Sequence, residues 1–522
     1  MRLIAPAILV TATALVAALP SAASETAAVD EESTRSVQNP SITKLAPGVR
    51  LERRSYGRAD AKDRWAVHVY LPAKLSGPLD EADTALGNRK IAKRVAKALR
   101  AEGFTPKIAE VRTPKFSDYA ARRLGWTVRA GAFASQDDAQ DRLDAISDAG
   151  FNGGLRFTAQ DGRDRKAPQQ VYVLRVNFKK FKGKVTTDFG DTLHGTEKLT
   201  SMLESAGALA GTNAQWFYDG APGGMYVKNG RLLGTATRGR GGVKITKGGR
   251  KVNVGAYTSK VVLKTKKKRA VLDAVNRVPG VIWNCGGIGG DKPTQHPQHD
   301  LQCSDPSEMV RFTPKWGETP SGSGAEAVIN RNGKVVKVNG SRGADVPRRG
   351  STIQATGKRA KWLRNNLRVG QKVAIKQTVR NAKGKRVKLT KGTTILQVGP
   401  TLVRNGKVDV NAYADGLIRQ GSDKTFTYNW VLRSNPRSMI GIDRKGRLML
   451  VVLDGRQAGY SEGMSVIQTA RLMKRLGARE ALNLDGGGSS VMAVDGKGIV
   501  NRPSDATGER YLGNSLLIMP KR

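Results

Sequence analysis

The chain has 522 residues, enough for two or three domains. Its 89 lysines and arginines stand against 44 aspartates and glutamates, a formal charge of +45 that predicts an anionic partner or anionic surroundings. Only two cysteines are present, and as a pair they argue against catalytic cysteine chemistry.

Arg2 precedes an apolar run, Leu3 to Leu19, followed by Pro20 and the small residues Ser21, Ala22 and Ala23. This order predicts a secretory signal peptide over 1–23. A retained membrane anchor is the competing reading, disfavoured because the run is rich in Ala and Thr and marginal in length. Secretion moves the expected partner away from nucleic acid and toward wall polymers, phosphate-containing polysaccharides or lipid headgroups. No later segment is apolar enough to span a membrane, so the mature chain is expected outside the cell or in its wall.

Residues 24–44 are polar and aperiodic and predict a flexible linker. Leu45 to Tyr56 reads as a turn and a strand, the start of a main domain that takes in residues 45–60. A separate module is expected over 65–160. Trp65 to Leu71 alternates as a strand, Asn88 to Ala101 is a basic helix, and Phe104 to Val111 and Trp126 to Phe133 are strands. Asp137 to Ala149 is a second helix, and Phe151 to Phe157 a last strand. The order βαββαβ describes a small ferredoxin-like unit.

The stretch WTVRAGAFASQDDAQDRLDAISDAGF, Trp126 to Phe151, resembles the SPOR domain family in a strand ending Gly-x-Phe, a polar cap, and an Ala/Leu helix closed by glycine. The matching residues are Gly131, Phe133, Ser135, Ala139, Leu143 and Gly150. The resemblance implies a module that binds peptidoglycan glycan strands.

From Val171 the main domain resumes with VYVLRVNF, a strand whose expected partner is the one before the module. Downstream, short Val/Ile runs alternate with turns at Asn229-Gly230, Asn332-Gly333 and Asn405-Gly406, which predicts a β-rich α+β domain over 171–522. Two helices are expected, in Glu197 to Leu209 and in Ser465 to Leu476, the latter with a capping box from Ser465 and Gln468 and a stop at Gly477. Each leads into a polar strand containing glycine. The basic runs Lys264 to Arg269 and Arg380 to Lys391 read as solvated edge strands, with attraction to an anionic polymer as a compatible role. Neither carries the aromatic interleaving that single-stranded nucleic acid requires.

Cys285 and Cys303 flank a Gly/Pro-rich loop, and in an oxidising compartment the pair predicts one disulfide. His296, His299 and Asp300 lie in that loop without the helical spacing of a metal site, so no metal ligand is assigned.

Four stretches place carboxylates, Asn and Arg beside glycines. The first is GTNAQWFYDGAPGG, with Asn213 and Asp219. The second is Asn435-Pro436-Arg437 and the third LMLVVLDGR, ending at Asp454 and Arg456. The fourth is ALNLDGGGSSVM, with Asn483, Asp485, Gly486, Gly487 and Ser489. Asn501-Arg502-Pro503-Ser504 and Gly508-Glu509-Arg510 follow it. Strand alternation puts Asn483 and Asp485 on one face and Leu482 and Leu484 on the other. The glycines let an anionic group approach backbone N–H groups.

The order and spacing of these stretches resemble the phosphodiester glycosidase family, LNLDGGGSS with an upstream DGR above all. The resemblance implies hydrolysis of the bond between a sugar's anomeric carbon and an esterified phosphate. It also implies site roles for Asn213, Asp219, Arg437, Asp454, Arg456, Asn483, Asp485, Gly486, Gly487, Ser489 and Arg510. Ala214, Gln215 and Trp216 depart from the family pattern and leave sugar identity open.

The chemistry of the residues agrees. Arginines 437, 456 and 510 suit a monoanionic phosphodiester. Glycosidic cleavage commonly uses two carboxyl groups. Asp485 and Asp454 are the first candidates for them, with Glu509 and Asp219 in reserve. A phosphate leaving group needs little protonation, so one carboxylate can suffice. A carboxylate cluster with Asn also suits a divalent cation such as calcium. A wall-polymer binding protein without turnover is the alternative to an enzyme, and a secreted nucleic-acid binder a third reading.

Overall fold

The computed structural model describes residues 39–521, apart from 163–165, 219, 238, 284–291, 294–301 and 419–423. The expected signal peptide, Asp219, Cys285 and the histidine loop therefore lie outside the described residues. Cys303, the other half of the expected disulfide, is buried.

The architecture is a β-rich α+β fold. One antiparallel sheet of eight strands runs in the order 41–46, 49–56, 169–176, 448–453, 437–443, 478–483, 401–404 and 407–408. Val49–Tyr56 pairs along its whole length with Gln169–Val176, from Val49 opposite Val176 to Tyr56 opposite Gln169. The SPOR-like segment lies between these two partners in the chain. The linker expected to reach residue 44 ends earlier, because Ser41–Ala46 folds back on Val49–Tyr56 through a turn at Gly48.

A five-stranded sheet, ordered 498–499, 492–494, 210–213, 515–519 and 184–188, packs with the first around a shared core. A third sheet carries Lys251–Lys264 and Ala374–Asn381 as neighbours. Its apolar face packs with strands of a further sheet and the helix Gly357–Asn366 in a second core. Among the described residues no helix is long and apolar enough to cross a membrane.

The small module shows the expected order: strand 65–69, helix 89–101, strands 106–112 and 123–133, helix 136–148, strand 153–157. Its sheet order, 106–112, 123–133, 65–69, 153–157, is that of a ferredoxin-like unit. Asn88 caps the first helix by accepting from Ile91 N at 2.9 Å, and Ser135 caps the second by accepting from Asp138 N at 3.1 Å. Each such cap contributes about 1 kcal/mol. Ile91, Val95 and Leu99 pack with Val67, Val128 and Ile146 in a core of the module's own.

The module's other sheet face meets the main domain. Arg129 donates to both oxygens of Asp161, at 2.7 and 2.5 Å, and to the Tyr428 hydroxyl at 3.2 Å. His68, fully buried, lies edge-on to Tyr428 at 5.8 Å. A groove of about 550 Å³ runs along this junction, with Thr127 and Arg129 on one side and Tyr428, Gln468 and Arg471 on the other.

Candidate active site

Ala478–Asn483 ends the central part of the first sheet, and Met492–Val494 belongs to the second. The chain between them, Leu484 to Val491, thus crosses from one sheet to the other. Its glycines make the crossing compact: Gly487 has φ +62° and opens a single 3-10 turn through Ser489.

Asn213 fixes the base of this loop. Its Nδ2 donates to Asp485 O at 2.7 Å, and its Oδ1 accepts from the Ser438 hydroxyl at 2.6 Å. One buried amide therefore joins a strand of each sheet to the loop.

Asp485 is half-buried at the start of the turn. Gly486 N donates to its Oδ1 at 2.9 Å, and the Ser489 hydroxyl is a second donor. Burial of the carboxyl outweighs these donors and the nearby Arg510 charge, and pushes its pKa up to about 7. A carboxyl poised near neutrality can exchange a proton with a reacting group at little cost.

Arg456 lies over the turn. An added Cβ on Gly487 would stand 3.3 Å from its Nη2. Its backbone has φ +59°, a conformation uncommon for a side chain of this size, and its Nε and Nη2 both donate to Asn435 Oδ1, at 3.1 and 2.7 Å. Arg510, exposed, pairs with Asp505 at 2.7 Å. Both residues cover Gly488, where a Cβ would fall 2.2 Å from Asp505 Oδ1 and 2.3 Å from Arg510 Nη2. The rim of the loop thus carries two guanidinium groups, one held by the Asn435 amide oxygen and the other by the Asp505 carboxylate.

Trp430 forms the remaining wall. Its ring stands 2.8 Å from the position a Gly486 Cβ would take. Beneath it Arg437 is fully buried, with its guanidinium carbon 4.5 Å from the Trp430 ring centroid. Arg437 Nε donates to Met464 O at 2.9 Å and Nη2 to Trp430 O at 2.5 Å, while Nη1 has no hydrogen-bond partner among the described residues. Burial and the neighbouring Arg456 charge lower its pKa to about 9. The sequence placed Arg437 beside the phosphate; the structure places it under the tryptophan, where it holds the segment Thr427–Leu432.

The other candidates make contacts within the surrounding fold. Asp454, 1% exposed, accepts from Asn501 Nδ2 at 2.8 Å, from Arg502 N at 3.1 Å and from the Tyr460 hydroxyl at 3.3 Å. Burial still raises its pKa to about 6. Its carboxylate is occupied in tying the DGR strand end to residues 501 and 502. Glu509 accepts from Thr200 N at 3.0 Å and from its hydroxyl at 2.7 Å, which caps the helix Leu199–Ala206. Asn483 is fully buried and donates to Leu484 O. Leu482 and Leu484 are equally buried, so strand alternation here separates two covered faces and not a core from a cleft. Sequence reasoning did not assign roles to Trp430, Asn435, Asn501 or Asp505.

Among the described residues no three His, Cys, Asp or Glu side chains come together to hold a metal ion. A second depression, bordered by Tyr218, Thr235, Asp273 and Arg277, contains none of the loop residues.

Residues 323–519 match the phosphodiester glycosidase family and residues 84–156 the SPOR domain. Over 105 residues, 20% of the chain, the sequence is 30% identical to N-acetylglucosamine-1-phosphodiester alpha-N-acetylglucosaminidase of Bos taurus. That match spans about a fifth, 19%, of the bovine protein. A crystal structure of a Burkholderia pseudomallei protein described as exported superposes with a TM-score of 0.81 at 28% identity, covering 92% of this chain and 96% of that one. A Synechocystis protein shares the fold at a TM-score of 0.53 and 16% identity, over 92% of this chain and 76% of its own. The chain carries a SPOR domain over residues 84–156 and a domain of the phosphodiester glycosidase family over residues 323–519.

Proposed function

We propose that the protein hydrolyses the glycosidic bond of sugar 1-phosphodiesters in an anionic wall polymer or exopolysaccharide, outside the cytoplasm. The observation that carries this reading is the half-buried Asp485 carboxyl, its pKa near 7, at the head of a glycine turn overhung by Arg456 and Arg510. The two guanidinium groups suit the single negative charge of a phosphodiester. Trp430 offers an apolar surface for a sugar ring.

In the reaction, water attacks the anomeric carbon and gives its proton to ionised Asp485. The bond from that carbon to the phosphate oxygen breaks, and its electron pair leaves with the phosphomonoester. Arg456 and Arg510 stabilise the charge that gathers there. An attack by Asp485 itself, followed by hydrolysis of the glycosyl ester, would need the same ionised form. Asp454, Asn213 and Arg437 position the loop and its neighbours.

The SPOR domain suggests peptidoglycan binding. We place the glycan in the groove shared by Arg129 of this domain and Gln468 of the main domain. Similarity to an exported protein supports an extracytoplasmic location, with the signal peptide over 1–23 as its means and the Cys285–Cys303 disulfide as a consequence of the oxidising environment. Incubation with a nitrophenyl sugar phosphodiester should release free sugar, and Asp485→Asn should abolish release. Polymer binding with no release from the wild type would favour a wall-polymer adhesin.

A further inference from the structure

The two most basic runs of the sequence, more than a hundred residues apart, meet in one sheet. Lys251–Lys264 pairs with Arg269–Leu272 on one side and with Ala374–Asn381 on the other, and the latter pairs with Arg386–Val387. The register sets which side chains share a face. Lys264 stands opposite Arg269, Val262 opposite Lys376, Lys260 opposite Thr378, Thr258 opposite Arg380, and Arg380 opposite Arg386. Directly opposed residues point to the same side. Lys260, Lys264, Arg269, Lys376, Arg380 and Arg386 therefore form one solvent-exposed face. The reverse face, with Val261, Leu263, Leu272 and Val379, is the wall of a hydrophobic core and fixes the orientation.

Segments 241–272 and 372–397 contain no Asp or Glu. Cations on one strand, four residues apart, are spaced about 13 Å, and the directly opposed pairs Lys264–Arg269 and Arg380–Arg386 about 5 Å. Like charges directly opposed destabilise a sheet, so the two opposed pairs, Lys264–Arg269 and Arg380–Arg386, without acids nearby in these segments are a standing cost that blocking an edge would not require.

We propose that this face is a docking track for a flexible polymer with regularly repeated phosphodiester charges. The acid-free charge favours a polyanion, and the side chains between the cations, Thr258, Thr378, Val262 and Ala374, include no aromatic group on which a base could stack. The 14-residue strand Lys251–Lys264 also reaches the site-bearing strands: it contacts Arg437–Asp443 and Ala478–Asn483. At about 3.3 Å per residue it spans about 46 Å. One polymer held on the track could thus be presented toward the Asp485 loop. The choice of a phosphodiester polymer over other polyanions rests on the proposed function; the cation face does not.

The test is fluorescence anisotropy of labelled poly(glycerol phosphate) with the whole protein, between 50 and 200 mM salt. The comparison is with the triple variant Lys260→Gln/Lys376→Gln/Arg380→Gln and with Lys260→Arg/Lys376→Arg. If each lost cation lowers the salt slope by about 0.7, the glutamine variant should lose about 20-fold less affinity than wild type across that range. Its binding at 50 mM should be weaker, the arginine variant should bind like wild type, and both should hydrolyse a small nitrophenyl sugar phosphodiester normally. Unchanged binding by the glutamine variant would overturn the proposal, as would equal weakening by the arginine variant. Tighter binding of duplex DNA than of poly(glycerol phosphate), at equal phosphate, would overturn it in favour of nucleic acid. Binding without sugar release by the wild type would leave the track standing and reject only the hydrolase reading.

Discussion

Changing the pH across neutrality should switch the enzyme through one carboxyl group. Asp485 has its pKa raised from 3.8 to about 7 because burial disfavours the charged form more than Ser489, Gly486 N and Arg510 favour it. Both roles open to it, base or nucleophile, need the carboxylate. With a pKa of about 7, about 1% is ionised at pH 5, half at pH 7 and about 90% at pH 8. The value of kcat/KM for a nitrophenyl sugar phosphodiester should therefore rise about 100-fold from pH 5 to its plateau, with a midpoint near 7. The phosphodiester itself does not titrate in this range. Asp485→Asn should lower kcat by about a thousandfold or more and erase the limb, whereas Asp454→Asn should keep a limb near 7. A profile that falls with rising pH would refute the reasoning and make Asp485 a general acid. Survival of the same limb in Asp485→Asn would assign the titration elsewhere.

The same group makes stability depend on pH. Since the folded pKa is raised, the folded protein holds a proton that the unfolded chain has released between about pH 4 and pH 7. That contribution is complete at low pH and lost as pH rises through 7, so the wild-type melting temperature should drop more from pH 5 to pH 8 than that of Asp485→Asn. Equal drops would count against a buried carboxyl at 485. Asn501→Ala removes a donor from the buried Asp454 carboxylate and should cost about 1–3 kcal/mol of stability; a melting temperature within a degree of wild type would contradict the framing role. Gly486→Ala would bring a Cβ to 2.8 Å from both Pro436 O and the Trp430 ring, so turnover should fall sharply while far-ultraviolet circular dichroism stays unchanged. Undiminished kcat/KM would show that Trp430 is not a wall of the site.

Local signals were legible in the sequence because their physics is local. The Ser465–Gln468 capping box forms as its spacing predicted, with Ser465 N donating to Gln468 Oε1 at 2.8 Å, and Gly477 follows the helix with φ +92°. The βαββαβ order of the small module followed from changes between periods of two and 3.6 residues. The glycine turn after Asp485 was equally plain. Roles that depend on remote partners were not. Glu509 meets Thr200 across 309 residues of sequence, and its pairing partner in the helix gave no local sign. Asn483 lies in a sheet covered on both faces, where alternation carries no direction. Arg437 resembles any phosphate ligand until Trp430 is seen above it. The helix Gly357–Asn366 went unread because only Ala360 and Leu363 of it are buried, too few for an apolar stripe among lysines and arginines.

The central claim is that the bond broken is the one to the anomeric carbon. Hydrolysis of a sugar 1-phosphodiester in water enriched in oxygen-18, followed by mass spectrometry of the phosphomonoester product, tests it directly. Attack at carbon, with Asp485 taking the proton of water, leaves the phosphomonoester free of label. Oxygen-18 in that product would mean attack at phosphorus and would contradict the assignment.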